Sequence, residues 1–362
     1  MKVCWISNAP SPYKVELMNL LGHKMNLLCL FETRAESDRE KSWYSYDFSS
    51  FQADYLNEGD AKQIIRKAAK FYDCLIDSDY SSRICMYAVR CFHKLKKPVF
   101  LHADGGLAIP RGFVDKAISF VMKHHDYAMS SGMETDKYFR YYGFPAERIF
   151  HYHMSCMSEA ELKEAAAMRT QKEDCRKQCS FQEPFILLSV GQQVPRKGYD
   201  ILAQAMADVP EEIGLYIVGG QPEPSVSRII AENHLSNVHF IPFRSKEDLK
   251  FCYAGADVFV LPTRYDIWGL VINEAMAFGL PVISTDRCVA AMEFSSQADN
   301  AVIVPSERPD LLSKAIQKLY SDQKLRTLLS ERSLEGIRPF SLEQMAEDFK
   351  EILERGLSGK HQ

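Results

Sequence analysis

Short apolar runs alternate with segments of helical period along the whole chain, and this alternation restricts the fold more than any other feature. Apolar runs stand at Val3–Ser7, Asn26–Phe31, Cys74–Ile76, Pro98–His102, Tyr127–Ser130 and Ile149–Tyr152. Between them, Tyr13–Leu21, Ala61–Lys70, Ile84–Lys94, Phe113–His124 and Glu134–Tyr142 carry apolar residues at helical spacing. Unbroken apolar strands are those buried on both faces, and strands connected through helices run parallel. The pattern therefore predicts α/β units built on parallel sheets. A second series opens at Pro184–Val190, with later strands at Leu215–Val218, His239–Ile241, Val258–Leu261, Val282–Ser284 and Ala301–Val304. Its helices include Asp200–Ala207, Lys246–Ala254, Gly269–Phe278 and Pro309–Ser321. Strand ends feed loops rich in Gly, Pro, Asp or Ser, where doubly wound folds hold their ligands.

The 362 residues suit two domains. We assign them to 1–170 and 180–340, with the charged stretch Glu159–Lys177 as a helix leaving the first. Ser341–Gly356 reads as an amphipathic helix through Leu342, Met345, Phe349 and Ile352, capped by Ser341 with Gln344 three residues on. The segment 341–362 is expected to pack back on the first domain. Lys plus Arg total 44 against 48 Asp plus Glu, a net charge of -4, which argues against a dedicated nucleic-acid binder. Ten cysteines include no CxxC, and Cys175 and Cys179 lack a second pair, so no zinc site is expected. No window approaches 18 apolar residues, and MKVCWISNAP lacks the charged start and long apolar stretch of a signal peptide. The simplest reading is a cytoplasmic chain with free thiols.

Two segments of the second half carry chemistry. Ser189–Asp200 places Gly191 and the pair Arg196 and Lys197 between a strand and a helix. Glycine allows close backbone approach, and a dibasic turn at a helix start suits an anionic group; the alternative is a solvated basic turn. Further on, Asp266 and Glu274 flank a Trp268-Gly269-Leu270-Val271 turn that opens a helix, whose first N–H groups suit a phosphate. Two carboxylates around such a site can hold hydroxyls at opposite ends of a sugar nucleotide. Otherwise Asp266 is an N-cap and Glu274 a surface charge.

The basic pair after a glycine turn, followed by an acid-x7-Glu pattern and Ala-Met-Ala-Phe-Gly279-Leu-Pro281, resembles glycosyltransferase family 4. The resemblance is strongest over about 185–345. It implies the GT-B fold, two Rossmann-like doubly wound domains facing across a cleft, and a retaining, metal-independent transferase. Its donor would be a nucleotide diphosphate sugar, most simply a UDP-sugar, and its acceptor a glycan or lipid-linked glycan in bacterial capsular, exopolysaccharide or O-antigen assembly. By the same resemblance Arg196 and Lys197 bind the diphosphate, Glu274 the ribose and Asp266 the transferred sugar. The Trp268–Val271 backbone lies near sugar and phosphates, Phe243-Arg244 near the base, and Gly219-Gly220 along the cleft. The family's first acid is usually Glu, where this chain has Asp266. A sugar-nucleotide epimerase of the same fold and a degenerate sugar-nucleotide-binding protein are the alternatives.

In the first half, Pro12, Tyr13 and Lys14 follow the first strand and are read as acceptor-side or as a rigid connector. His102, at a strand end, is the catalytic candidate, and Asp104 the alternative general base. Asp77-Ser78-Asp79 could hold a divalent cation, but the basic pair already supplies that charge, so no metal is expected. Arg90, His93, Lys94, Lys96, Lys97, Arg111, Lys116, Lys123, His124 and His125 interleave with Phe92, Leu95, Phe113, Ile118, Phe120, Val121 and Met122. Such a mixture fits ordinary amphipathic helices or peripheral contact with the inner face of a plasma membrane.

Overall fold

A computed structural model describes residues 1–34 and 47–359. The chain divides into two compact units, Met1–Ser155 with Ser341 onward, and Cys156–Phe340. Each is built on one parallel sheet.

The sheet of the first unit comprises β1 (Lys2–Ser7), β2 (Asn26–Phe31), β3 (Gln52–Tyr55), β4 (Cys74–Asp77), β5 (Val99–His102), β6 (Tyr127–Ser130) and β7 (Ile149–His151), in the order β3-β2-β1-β4-β5-β6-β7. Chain direction across the sheet reverses between β1 and β4. Register aligns Val3 with Cys74 on one side of β1 and with Leu27 on the other. β3 was not foreseen: Gln52–Tyr55 is an edge strand with no apolar run. The helix Leu342–Leu357 belongs to this unit and buries Leu342, Met345, Phe349, Ile352 and Leu353, with Ser341 Oγ accepting from the Gln344 N–H at 3.0 Å.

The second unit holds β8 (Phe185–Val190), β9 (Ile213–Val218), β10 (Val238–Ile241), β11 (Val258–Leu261), β12 (Val282–Thr285) and β13 (Ala301–Val304), ordered β10-β9-β8-β11-β12-β13. Here the reversal lies between β8 and β11. Its core includes Leu187, Leu202, Ile217, Val260 and Ile316, all shielded from solvent. The expected boundary near 170 moves to 156. Glu159–Lys177 is two helices, Glu159–Met168 and Lys172–Cys179. The latter joins the second unit through Lys172 and Arg176, which both pair with Asp257 just ahead of β11. Among the described residues, no helix is long and apolar enough to cross a membrane.

Candidate functional site

In a doubly wound sheet, the loops that leave two neighbouring strands in opposite directions open a crevice beyond the strand ends. In the second unit those loops follow β8 and β11, and they contain the basic turn and Asp266. β8 runs into Gly191, and a single turn, Pro195–Lys197, precedes the helix Tyr199–Met206. Lys197 Nζ lies 2.7 Å from Asp266 Oδ2, and Arg196 Nη1 3.5 Å from the same oxygen. The Lys197 and Asp266 side chains are 9% and 10% exposed, whereas that of Arg196 is 49% exposed. Two cations thus share one carboxylate, and the outer one keeps donors for an anion.

Arg264 fixes this arrangement. Its guanidinium makes two bonds to the Asp200 carboxylate, at 2.8 and 2.7 Å, and a third to the Pro195 carbonyl at 2.7 Å. The Arg264 N–H and Thr263 Oγ1 both donate to the Arg196 carbonyl at 2.8 Å. Arg264 was not a candidate, because nothing in the sequence pairs it with Asp200, 64 positions away. Gln193 was also missed: both polar atoms of its amide are buried with no hydrogen-bond partner among the described residues.

The loop after β11 reaches its helix through Gly269, whose φ of +99° disfavours any residue with a side chain. A Cβ there would also stand 2.9 Å from Cys288 Sγ. The helix Leu270–Ala277 follows, and the first N–H groups of a helix have no partner one turn back. Trp268 contributes to this loop by its backbone. Its ring is buried, Nε1 donates to Asn273 Oδ1 at 2.8 Å, and its carbonyl accepts from the Ala290 N–H. Trp268 shapes the loop from the core, leaving Leu270 and Val271 at the helix start.

Glu274 is half-buried one turn on. The Tyr253 hydroxyl donates to its Oε2 at 2.6 Å, and Cys156 Sγ lies 3.8 Å from Oε1. Burial raises its pKa, while Tyr253 and Lys246 act the other way. The loops after β8, β9 and β10 stand side by side: the Gly191 N–H donates to the Val218 carbonyl, and the N–H groups of Gly219 and Gly220 both donate to that of Ile241. Gly219 allows this close approach, since a Cβ there would lie 1.9 Å from the Gly191 oxygen. Phe243 and Arg244, just beyond β10, are exposed.

The first unit gathers a different set. Tyr13 Oη donates to Asp104 Oδ2 at 2.7 Å, and Lys14 Nζ is 3.2 Å from that oxygen. Pro12 opens the helix Pro12–Gly22 that carries both. Although burial opposes it, Lys14, helped by the Tyr13 hydroxyl, holds the Asp104 carboxyl below its ordinary range.

His102 is not an accessible base, contrary to expectation. It is 2% exposed and packed among Trp5, Tyr152 and Phe349. Trp5 Nε1 donates to Ser78 Oγ, leaving that hydroxyl to donate to His102 Nδ1 at 2.8 Å. The Tyr152 hydroxyl donates to the Ala103 carbonyl, so it accepts from His102 Nε2 at 3.1 Å. Both ring nitrogens are engaged, and burial depresses the pKa to about 4, so the ring is neutral at pH 7. His102 is held inside the first unit, 3.6 Å from the Asp104 carboxylate.

Asp77 is likewise internal, 3.0 Å from buried His125. Of the basic and apolar positions singled out for surface contact, Phe92, Met122 and His125 are buried, and Lys97 donates to the backbone carbonyls of Ala69, Lys70 and Tyr72. Phe113 and Phe120 are 89% and 59% exposed, beside exposed Arg111, Lys116 and Lys123.

Two doubly wound parallel-sheet units on one chain define the GT-B fold, and the comparisons agree. The chain aligns with Anabaena HepE in complex with UDP at a TM-score of 0.80 and 16% identity, covering 98% of this chain and 100% of that one. A HepE complex with UDP-glucose gives 0.77 at 16% identity, covering 98% and 99%. Residues 170–335, within the second unit, match the family model of glycosyl transferases group 1. Lipopolysaccharide glucosyltransferase WaaG of Escherichia coli K12 is 30% identical over 179 residues, 48% of this chain and 47% of WaaG. The lipopolysaccharide core glycosyltransferase LpsE of Rhizobium meliloti is 29% identical over 171 residues, 46% of this chain and 49% of LpsE. The chain thus spans about half the length of the curated relatives it matches.

Proposed function

We propose that this protein is a glycosyltransferase of surface polysaccharide biosynthesis that moves a sugar from a nucleotide diphosphate sugar, a UDP-sugar first of all, to a hydroxyl of a glycan or lipid-linked glycan. The observation that carries this reading is the Arg196–Lys197–Asp266 cluster at the crevice of the second unit. In this reading Arg196, Lys197 and the N–H groups of Leu270 and Val271 take the diphosphate and stabilise the charge that develops as it leaves. Asp266, already anchored by Lys197, accepts from hydroxyls of the sugar, and Glu274 from those of the ribose. Phe243 and Arg244 lie toward the base.

Tyr13, Lys14 and Asp104 form the acceptor side, with Asp104 positioned by Lys14. Transfer proceeds with retention: the acceptor hydroxyl attacks from the face the diphosphate leaves, and its proton passes to the leaving phosphate. No metal takes part, because the cationic pair supplies that charge. The exposed face bearing Phe113, Phe120, Arg111, Lys116 and Lys123 meets an anionic membrane from the cytoplasmic side.

The test is UDP release from a panel of UDP-sugars, with and without a mixed oligosaccharide acceptor fraction, in excess chelator. Acceptor-dependent UDP release that survives chelation is expected. Conversion of the nucleotide sugar without acceptor would instead indicate an epimerase, and binding without turnover a degenerate binding protein. A strict cation requirement lost in Asp79→Ala would overturn the metal-free mechanism.

A further inference from the structure

Behind the crevice of the second unit, two thiols that the proposed chemistry does not use face each other. Cys179 Sγ donates to Cys252 Sγ at 3.4 Å, although the residues are 73 positions apart. A disulfide needs sulfurs about 2.05 Å apart, so an approach of roughly 1.4 Å suffices. The elements that carry them allow it. Cys179 ends the helix Lys172–Cys179 and is followed by Ser180 in a left-handed conformation, where helical pairing has already stopped. Cys252 sits in the helix Lys246–Gly255, packed on the first. Cys179 is part-exposed and Cys252 is buried beneath it, so a small oxidant reaches the pair from one side.

We propose that Cys179 and Cys252 form a reversible disulfide, a redox switch placed against the donor site. The oxidant is hydrogen peroxide. The Cys252 thiolate attacks one peroxide oxygen, the O–O bond breaks, and with a proton from solvent one water leaves, giving a sulfenic acid. The Cys179 sulfur then attacks the Cys252 sulfur; its thiol proton and the departing hydroxide form a second water. Two thiols are oxidised by two electrons and one peroxide is reduced to two waters. The electrostatics suit this order: the thiol hydrogen bond from Cys179, with help from Arg244, lowers the Cys252 pKa.

The consequence reaches Glu274 through one residue. Tyr253 follows Cys252 on the same helix and holds the Glu274 carboxylate at 2.6 Å. Drawing Cys252 toward Cys179 shifts Tyr253, and Glu274 with it. This second half rests on the reading of Glu274 as the ribose ligand; the disulfide itself does not.

Peroxide-treated full-length protein, blocked with iodoacetamide and digested without reductant, should yield a Cys179–Cys252 cross-linked peptide that disappears with dithiothreitol. The dissociation constant for UDP, measured by calorimetry, should rise about 5-fold or more on oxidation, return on reduction, and stay unchanged by peroxide in Cys179→Ser. Alkylation of both thiols after peroxide treatment would overturn the switch. So would an equal loss of UDP affinity in Cys179→Ser. If reduced protein does not bind UDP, the donor reading fails, and the peptide map still decides whether the disulfide forms.

Discussion

The two units repeat one topology yet treat charge in opposite ways where their sheets reverse direction. At the β8/β11 crevice, Arg196 and Lys197 share a single carboxylate, and Arg196 remains half exposed. Near the β1/β4 reversal Lys14 is paired with Asp104, Asp77 is hydrogen-bonded to His125, and His102 is neutral. A surplus of accessible positive charge suits an anionic diphosphate, and a balanced, hydrogen-bonding surface suits the hydroxyls of a glycan. The contrast teaches that the doubly wound fold supplies only the place for a ligand. Leftover charge at that place selects the kind of ligand.

If the first unit's set serves mainly to hold its own structure, substitutions there should show in stability. Phe349→Ala removes the ring that packs on Trp5, His102 and Tyr152, and should cost about 3–5 kcal/mol in denaturant unfolding. A loss below about 1 kcal/mol would mean that the terminal helix is dispensable to this unit. His102 supplies the next effect. Its folded pKa of about 4 lies below the unfolded value of 6.5, so the unfolded chain binds more protons between these values. Its contribution is complete above pH 6.5 and is lost as pH falls toward 4, by roughly 3 kcal/mol. His102→Gln should flatten that part of the stability curve; identical slopes in parent and variant would place the imidazole in solvent.

In the second unit the effects should appear in turnover. Arg196→Ala or Lys197→Ala should lower kcat at least ~100-fold, with little change in stability for the half-exposed Arg196. Lys14→Ala should cost ~10-fold or less, because the Asp104 charge has Tyr13 as a second partner; equal losses in the two units would break the asymmetry. Arg264→Lys keeps the charge but loses the two-point grip on Asp200, and should reduce kcat by about 10-fold. Wild-type turnover would show that the basic turn holds its shape unaided. The smallest effect concerns Glu274: if it holds the ribose, its raised pKa should place the acid limb of UDP affinity above the ordinary carboxylate range. The Tyr253 hydrogen bond favours the carboxylate, so Tyr253→Phe should move that limb to still higher pH. A limb that does not move would separate Tyr253 from donor binding.

Much of the architecture is legible in the sequence because burial on both faces leaves an unbroken apolar signature. Asn26–Phe31, Tyr127–Ser130, Val258–Leu261 and Ala301–Val304 carry the same bounds in the sequence reading and in the structure. Elements that lack that signature escape notice. Val289–Ala298 is apolar and buried over its first turn but polar and exposed at Ser296 and Gln297, so it shows no helical stripe. Gln323–Ile337 buries only Leu329, Ser333 and Ile337.

Local residue order determined the glycine turns, the dibasic pair, the acid-x7-Glu pattern and the parallel α/β alternation, since each depends on neighbours along the chain. Tertiary structure decided which charges are left over. Lys197 meets Asp266 across 69 positions, Arg264 meets Asp200 across 64, and Cys179 meets Cys252 across 73. It also turned His102 from a base into a buried support, by closing Trp5, Tyr152 and Phe349 around it. Burial and pairing set the charge of an ionisable group, and both are created by segments distant in sequence that meet only when the sheets assemble.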